Sequence, residues 1–266
     1  MNLEYLHRDD LPLGPEVWER IDQTVIGVAR EQLAARRLMS VEGPFGLSLK
    51  HLPGADRDVE GKQTTLSASP ARPLALIRRT FRLSTRDLSS FQASGLPLDL
   101  GPLVEAALAV AAQEDAVLFH GSAALGLDGL LTAPLTQSVG LSSWDAVGAA
   151  AGNIIDAVTL LDRAGFRGPY TLALAPALYI RLLRLYGQTG TTELEHVQTI
   201  VGGSVIKAAA IEGGVLLAAG GPYASIVLGQ DLMAGLVGPH DGGYEFILSE
   251  SVALRLAVPS AVCIIK

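Results

Sequence analysis

The sequence has few cysteines, few charges and no long apolar run, and each shortage excludes a class of protein. Its one cysteine, Cys263, cannot form a disulfide within the chain, and no cysteine or histidine spacing matches a zinc site. The longest apolar runs, such as Ala106–Ala112, fall far short of the roughly 18 residues that a membrane-spanning helix needs. We therefore expect no bound metal, no disulfide framework and no membrane association.

Charged residues make up only 18% of the 266 residues, whereas apolar residues make up 49% and aromatic residues 5%. The formal net charge is −7, and the arginine pairs at 36–37 and 78–79 stand alone, so we expect no nucleic-acid binding. The first sixteen residues lack the apolar stretch of a secretory signal, which favours a cytoplasmic location. A surface with so few charges is expected to be covered partly by protein partners.

The hydrophobic pattern predicts helices in the first two thirds and strands in the last third, which favours an α+β fold. Pro15 begins an amphipathic helix to about Leu38, a longer helix covers Leu103–His120, and Pro176 begins another to about Tyr186. Ser142 and Asp145 have capping-box spacing before a helix that ends at Gly165. Strands are predicted at Leu74–Leu83, Tyr170–Ala175, Val205–Ile211, Val215–Ala219, Ser225–Leu228, Tyr244–Ser249, Val252–Val258 and Ala261–Ile265.

The segment Lys50–Pro73 is polar, contains several prolines and glycines, and shows neither helical nor strand periodicity. A stretch of this length without a core-forming pattern is uncommon inside a compact domain and often has a function. We interpret it as a protruding loop, in the form of a long hairpin. The alternative is a surface loop with no role of its own.

Catalytic motifs are missing: the sequence has no nucleophile elbow and no phosphate-binding glycine loop. His120 next to Gly121 and Ser122 is the one arrangement that could support hydrolysis. A histidine at the end of a helix is expected instead to bond the last carbonyl groups of that helix. Glu114 and Asp115 are expected on a solvated or interface surface rather than as an acid–base pair. We therefore expect a protein that is not an enzyme.

Several short blocks, in this order and spacing, resemble the encapsulin shell proteins of the first, classical family. They are Val41–Gly46, Glu114–Gly121, Gly126–Leu130, Gly168–Tyr170, Leu228–Leu232 with Gly235, and Ser249–Ser251. The resemblance implies a tailed-phage major-capsid fold and an icosahedral shell of identical copies. It also implies a cargo enzyme, a peroxidase or a ferritin-like protein, enclosed through a C-terminal targeting peptide. The alternatives are a phage-derived major capsid protein and a serine hydrolase or protease.

The resemblance also implies a division of the chain. Residues 1–46 would form an N-terminal arm and helix, 47–76 an extended loop that lies across a neighbouring subunit, and 77–128 a peripheral domain with a spine helix. Residues 129–223 would form an apical domain, and 224–266 would return as strands to the peripheral domain.

The resemblance implies cargo-binding residues at the positions of this sequence that match those of the family. The pore and cofactor expectations rest on the same matching of positions. The cargo candidates are Val28, Arg36, Gln230, Asp231 and Leu232. Val28 and Leu232 would receive apolar side chains of the peptide, and Arg36 would pair with a polar or acidic group. Core packing is the alternative for Val28, and a turn that pins two strands is the alternative for Gln230 and Asp231.

The apical loop and one position in the peripheral domain depart from relatives. Gln188, Thr189 and Gly190 are small and uncharged and would line a pore for small neutral molecules, unless this loop only turns a corner. Arg86 occupies the position where some relatives stack a flavin on tryptophan, so we expect no bound cofactor; the alternative is a flavin that stacks on this arginine.

Overall fold

A computed structural model describes residues 4–11, 14–187, 190–220 and 222–266. The chain divides into two compact units. The first unit consists of Met1–Leu33, Gly43–Glu114 and Val227–Ala253, and the second of Ala34–Glu42, Asp115–Ile226 and Leu254–Lys266. Both contain helices and strands, so the predicted α+β class is confirmed.

The helices of the described residues are α1 (Pro15–Gln32), α2 (Ala35–Leu38), α3 (Thr85–Ser94), α4 (Gly101–His120), α5 (Ala149–Arg163), α6 (Pro176–Arg181) and α7 (Glu193–Val201). Short 3-10 turns cover Glu4–Leu6, Arg8–Asp10, Ala123–Leu125 and Pro259–Ala261. None of the helices in these ranges combines the length and the apolar character that crossing a bilayer demands.

The strands before the long helix α4 are β1 (Ser40–Glu42), β2 (His51–Pro53), β3 (Arg57–Glu60), β4 (Thr65–Ala68), β5 (Ala71–Pro73) and β6 (Ala75–Ser84). Those between α4 and α7 are β7 (Gly121–Ser122), β8 (Leu127–Asp128), β9 (Gln137–Val139) and β10 (Tyr170–Leu174). The last are β11 (Val205–Lys207), β12 (Gly214–Ala218), β13 (Ala224–Leu228), β14 (Met233–His240), β15 (Gly243–Leu256) and β16 (Val262–Ile265).

The core of the first unit lies between α1 and an antiparallel sheet in which β15 pairs with both β6 and β14. Phe81 of β6 stacks on Phe246 of β15 with ring centroids 5.2 Å apart, and Trp18 of α1 meets Phe246 edge-on at 5.6 Å. Such aromatic pairs add to the gain from burial alone. The Arg8 guanidinium lies over the Trp18 ring and bonds both carboxylate oxygens of Asp22 at 2.7 Å, which fastens the N-terminal segment to α1.

The predicted protruding loop is a long hairpin, which confirms that interpretation. β2 pairs with β5 at its base and β3 pairs with β4 beyond it. Every residue of β3 and β4 is exposed, including Val59 and Leu66, which face each other across the strands. An isolated two-stranded ribbon is marginally stable in water, so this arm gains little from its own contacts.

The second unit is built on a mixed sheet with the strand order β11-β10-β12-β16-β9, in which β11 and β9 run parallel to their neighbours. The residues of β12 and β16 are all buried, and α5 and α7 pack on this sheet. Burial raises the pKa of the Cys263 thiol in β16 to about 11, so the thiol stays protonated near neutral pH and serves as a core side chain.

The predicted helix from Pro15 to Leu38 is wrong in its last part, because α1 ends at Gln32 and α2 begins separately at Ala35. The cause is Asp115, whose carboxylate accepts hydrogen bonds from the backbone N–H groups of Ala34 and Ala35 at 2.9 Å. These donors at the start of α2 would otherwise be buried without partners. The expectation of a solvated or interface position for Glu114 and Asp115 is also wrong, since both are buried.

The capping box predicted at Ser142 and Asp145 does not form, and α5 begins only at Ala149. The side chain of Asn153 explains the delay: its Oδ1 accepts hydrogen bonds from the backbone and hydroxyl of Ser142 and from Trp144 Nε1. These bonds fold the segment back over the helix. The helices α3 and α7 and the strand β14 were not predicted, and the two strands predicted between 244 and 258 are one continuous strand, β15.

The Asp115 cap provides a stability test. Replacing Asp115 with Ala leaves the buried N–H groups of Ala34 and Ala35 without acceptors, so we expect the free energy of unfolding to fall by about 3 kcal/mol. Guanidinium unfolding followed by tryptophan fluorescence measures the change. Asp156→Ala, at an exposed position of α5, is the matched control and is expected to change stability by less than about 0.5 kcal/mol. Equal unfolding curves for the two variants would contradict the capping role.

Candidate functional site

The turn Leu228–Leu232 connects β13 to β14 in the first unit and is held tightly against β15. Gly229 donates its N–H to the Ser251 carbonyl at 2.8 Å, and a Cβ at this glycine would collide with the Ser251 hydroxyl. The backbone therefore needs glycine here to approach β15. The backbone contacts of Gly229 with β15 thus hold the turn independently of the side chains at its tip.

Gln230 lies inside this turn with no exposed surface. Its Nε2 donates to the Ser249 carbonyl and hydroxyl, both at 2.9 Å, and its backbone N–H donates to the Ser251 hydroxyl at 2.8 Å. Its Oε1 is buried and accepts no hydrogen bond from the described residues. These contacts are those of a side chain that pins the turn to a strand.

Asp231 and Leu232 form the accessible side of the turn. The Asp231 carboxylate accepts the Leu232 N–H at 2.8 Å, which fixes the backbone at the leucine. Leu232 is half-buried and packs against Ala29, Leu33 and Ala111. The C-terminal half of α1, a buried face of α4 and the turn thus share one small apolar cluster in the first unit.

Two further cargo candidates lie on helices. Val28 is half-buried on α1 and directly precedes Ala29 of the Leu232 cluster in the sequence. Arg36 belongs to the second unit, where it is half-buried in α2, the short helix that Asp115 caps. Within the first unit the fold therefore brings Gln230, Asp231 and Leu232 into one turn, with Leu232 against the helix that carries Val28.

The predicted pore loop is described only in part, because Gln188 and Thr189 lie outside the described residues. Gly190 is exposed and has a φ of 76°, a conformation that favours glycine. The stem of the loop is a short ladder in which Tyr186 N–H donates to the Thr191 carbonyl at 2.8 Å and Glu193 N–H to the Arg184 carbonyl at 3.0 Å. The loop therefore begins and ends on fixed backbone.

An ion pair between the partly exposed Arg184 and the buried Glu193 holds this stem, and it was not predicted from the sequence. Glu193, 1% exposed, accepts the Arg184 Nε at 2.8 Å and also the backbone N–H of Gly148. The other nitrogens of Arg184 donate to the carbonyls of Asp145 and Ala146 at 2.8 and 2.6 Å. Because both side chains also bond backbone groups, the ion pair can offset the free-energy cost of removing the Glu193 carboxylate from water.

His120 and Arg86, which were considered for hydrolysis and for flavin binding, belong neither to the Leu232 cluster nor to the Arg184–Glu193 pair. His120 Nε2 is 2.6 Å from the Ala210 carbonyl, so the ring bonds this loop carbonyl rather than the last carbonyls of α4 that were predicted, and it makes no bond to Ser122. Arg86 is exposed in the first turn of α3, where its N–H bonds the Ser84 hydroxyl. Within the described ranges no group of histidine, cysteine and acidic side chains is placed to hold a metal ion.

A family model and a curated relative point to the same protein family. The family model described as "Encapsulating protein for peroxidase" matches residues 1–253. The type 1 encapsulin shell protein EncA of Myxococcus xanthus is 31% identical over 278 aligned residues, which cover 99% of this chain and 96% of the relative.

Two solved structures show the fold. The virus-like particle of Pyrococcus furiosus matches with a TM-score of 0.76 at 19% identity, over 94% of this chain and 100% of that one. The capsid of Myoviridae phage XM1 matches with a TM-score of 0.61 at 13% identity, over 88% of this chain and 91% of the other. The predicted capsid-like fold is confirmed.

The ion pair at the loop stem can be tested by one substitution. Glu193→Gln keeps the size of the side chain but leaves Arg184 without its counter-charge, so we expect a loss of about 2 kcal/mol, less than for a fully buried pair because Arg184 is partly exposed. Thermal unfolding of the purified protein measures the loss. Glu212→Gln removes the same charge at an exposed position and is expected to change little. A Glu193→Gln variant as stable as this control would contradict the account.

Proposed function

Because this chain belongs to the family of encapsulating proteins for peroxidase, the type 1 encapsulin shell proteins, we propose that its copies enclose a peroxidase as cargo. The chain is a structural shell protein, and its copies assemble into a nanocompartment with a capsid fold. A ferritin-like enzyme is the second cargo class.

The cargo is held through a short C-terminal peptide with apolar side chains. The observation that carries this proposal is the Leu232 cluster: a half-buried leucine on a rigid turn, packed against Ala29 and Leu33 of α1. An apolar surface of this kind, fixed in advance, binds an extended peptide at a low entropic cost. Val28, a half-exposed apolar side chain on the same helix, is the second apolar contact that we assign to the peptide.

The roles of the cargo candidates differ. Leu232 and Val28 provide contact surface for the peptide, whereas Gln230 acts from inside by holding the turn in place. Asp231 fixes the backbone at Leu232 through its N–H. Arg36 offers a guanidinium to a polar or acidic group of the peptide.

Small molecules reach the cargo through a pore lined by Gln188, Thr189 and Gly190. Their side chains are small and uncharged, so the lining would select weakly by charge. The Arg184–Glu193 pair supports this role, because it fixes the stem on which the loop stands.

The shell itself performs no catalysis in this proposal. The bond of His120 to the Ala210 carbonyl rather than to Ser122 supports this part of the proposal, since a serine hydrolase needs a base beside its serine. Arg86 presents an exposed guanidinium where stacking of a flavin would use an indole, so the shell is expected to carry no flavin. A cytoplasmic location with no membrane or nucleic-acid partner agrees with a net charge of −7 and isolated basic pairs.

The apolar surface assigned to Val28 and Leu232 predicts how one substitution changes the amount of cargo in the shell. Val28→Lys places a charge on the apolar surface, and we expect at least tenfold less cargo in shells co-expressed with a peroxidase that carries its C-terminal peptide. Gln23→Lys introduces the same charge on an exposed part of α1 and is the control. Co-purification measured by gel densitometry, with particle size checked by light scattering, gives the result.

Two outcomes would contradict the proposal. Equal cargo in the Val28→Lys and Gln23→Lys shells would place the peptide elsewhere. Equal cargo after removal of the peroxidase's own C-terminal peptide would show that the peptide does not direct loading.

A further inference from the structure

One exposed leucine has a backbone conformation that leucine rarely adopts. Leu135 has a φ of 68° and is 81% exposed, more than any other large apolar side chain of the described residues. It follows Pro134, and proline followed by a residue of positive φ is the pattern of a type II turn. The second central position of this turn favours glycine or asparagine.

The turn holds Leu135 rigidly. Its first residue, Ala133, is buried and bonds the Gly129 carbonyl through its N–H at 2.9 Å. Thr136 Oγ1 donates to the Ala133 carbonyl at 3.1 Å. Gln137, which begins β9, donates its Nε2 to the Ser260 carbonyl at 2.6 Å. Both ends of the turn are thus fastened to the second unit, and the leucine projects from a fixed position.

Leucine at this position is unfavourable twice over in a single copy of the chain. The left-handed backbone biases against a branched residue by roughly tenfold relative to glycine. The exposed side chain also gains nothing from burial within its own copy. The other residue of this kind in the described ranges, His7, differs because its ring bonds the Asp10 carboxylate at 3.1 Å. Among the described residues of the same copy, no such bond compensates the backbone of Leu135.

We propose that Leu135 is an assembly contact: its side chain inserts into an apolar depression of a second copy of this chain. The inference rests on the assembly of copies into a shell, stated above. Burial in a neighbour offsets both local costs, and the rigid turn spares the entropy of ordering the contact. The backbone strain is the same in free and assembled subunits, so the burial of the side chain, which only the assembled state provides, is what favours assembly.

A second copy fits better than the cargo. Every copy of the chain bears the cost of Leu135, so the compensating partner has to be present at every copy. Neighbouring subunits meet this condition in a closed shell, because each copy repeats the same contacts. A cargo that contacts only some of the subunits does not.

The sign of one mutational effect tests the contact. Leu135→Gly and Leu135→Asn both relieve the backbone and remove the apolar side chain. If Leu135 is buried in a neighbour, both variants disassemble at a lower guanidinium concentration than the unmodified shell, followed by light scattering. If the side chain stays in water, the relief of strain leaves the midpoint unchanged or raises it, which would overturn the proposal.

A labelling experiment gives a second readout that does not depend on stability. In Leu135→Cys shells the new thiol should react with a small maleimide at least tenfold more slowly in intact particles than after dissociation. The unmodified shell, whose one cysteine is buried, supplies the background. Equal rates would overturn the contact. Absence of particles from the unmodified chain would instead contradict the shell function, so the two failures are distinguishable.

Discussion

The main physical constraint on this protein is the apolar surface that a single copy exposes to water and that other copies cover. The accessible surface is 13913 Å², whereas a monomeric protein of 27.8 kDa exposes about 11,000 Å². Large apolar side chains contribute to the excess in both units, and they include Phe45, Val59, Leu66, Leu125, Leu135, Ile180, Leu183 and Leu185. So few charged residues can cover the surface that stays in water only when copies of the chain cover one another's apolar side chains. The composition and the fold thus express the same constraint.

Buried polar side chains fix the segments from which surface residues project. Asp115 caps the separate helix α2, Glu193 holds the stem of the loop that follows Tyr186, and Gln230 pins the turn that carries Leu232. Each of these three side chains makes hydrogen bonds that include at least one backbone partner, which is the condition under which a buried polar group is tolerated. The rigidity of these supports matters for a shell, because small errors in subunit geometry accumulate around a closed surface.

The sequence predicted the elements whose pattern is local. The helix α4 and the strand β6 lie within two residues of their predicted bounds, and the hairpin at Lys50–Pro73 agrees with the absence of a core-forming pattern there. The helix α7 had a readable signal that was missed, the capping box formed by Thr192 and Glu195. The break between α1 and α2 had none, because its cause, Asp115, lies about eighty residues further along the chain. Tertiary contacts of this kind override local preference.

For the candidate site, the sequence could indicate residues but not their roles. The block Leu228–Leu232 stood out as a family pattern, yet only the structure separates Gln230, which is buried in the turn, from Leu232, which is half-exposed on it. Leu135 was not predicted at all, since nothing in the neighbouring residues shows that its φ is positive. Its exposure and its backbone conformation become visible only together, in the folded chain.

The mass of the purified particle tests the central claim, that copies of this chain close into a shell, most directly. An icosahedral shell contains at least about 60 copies, so light scattering or mass photometry should give roughly 1.7 MDa or a larger multiple of the subunit mass. The particles should persist on dilution, because each subunit holds several contacts at once. A species of 27.8 kDa, or a dimer of it, at every salt concentration tested would contradict the account.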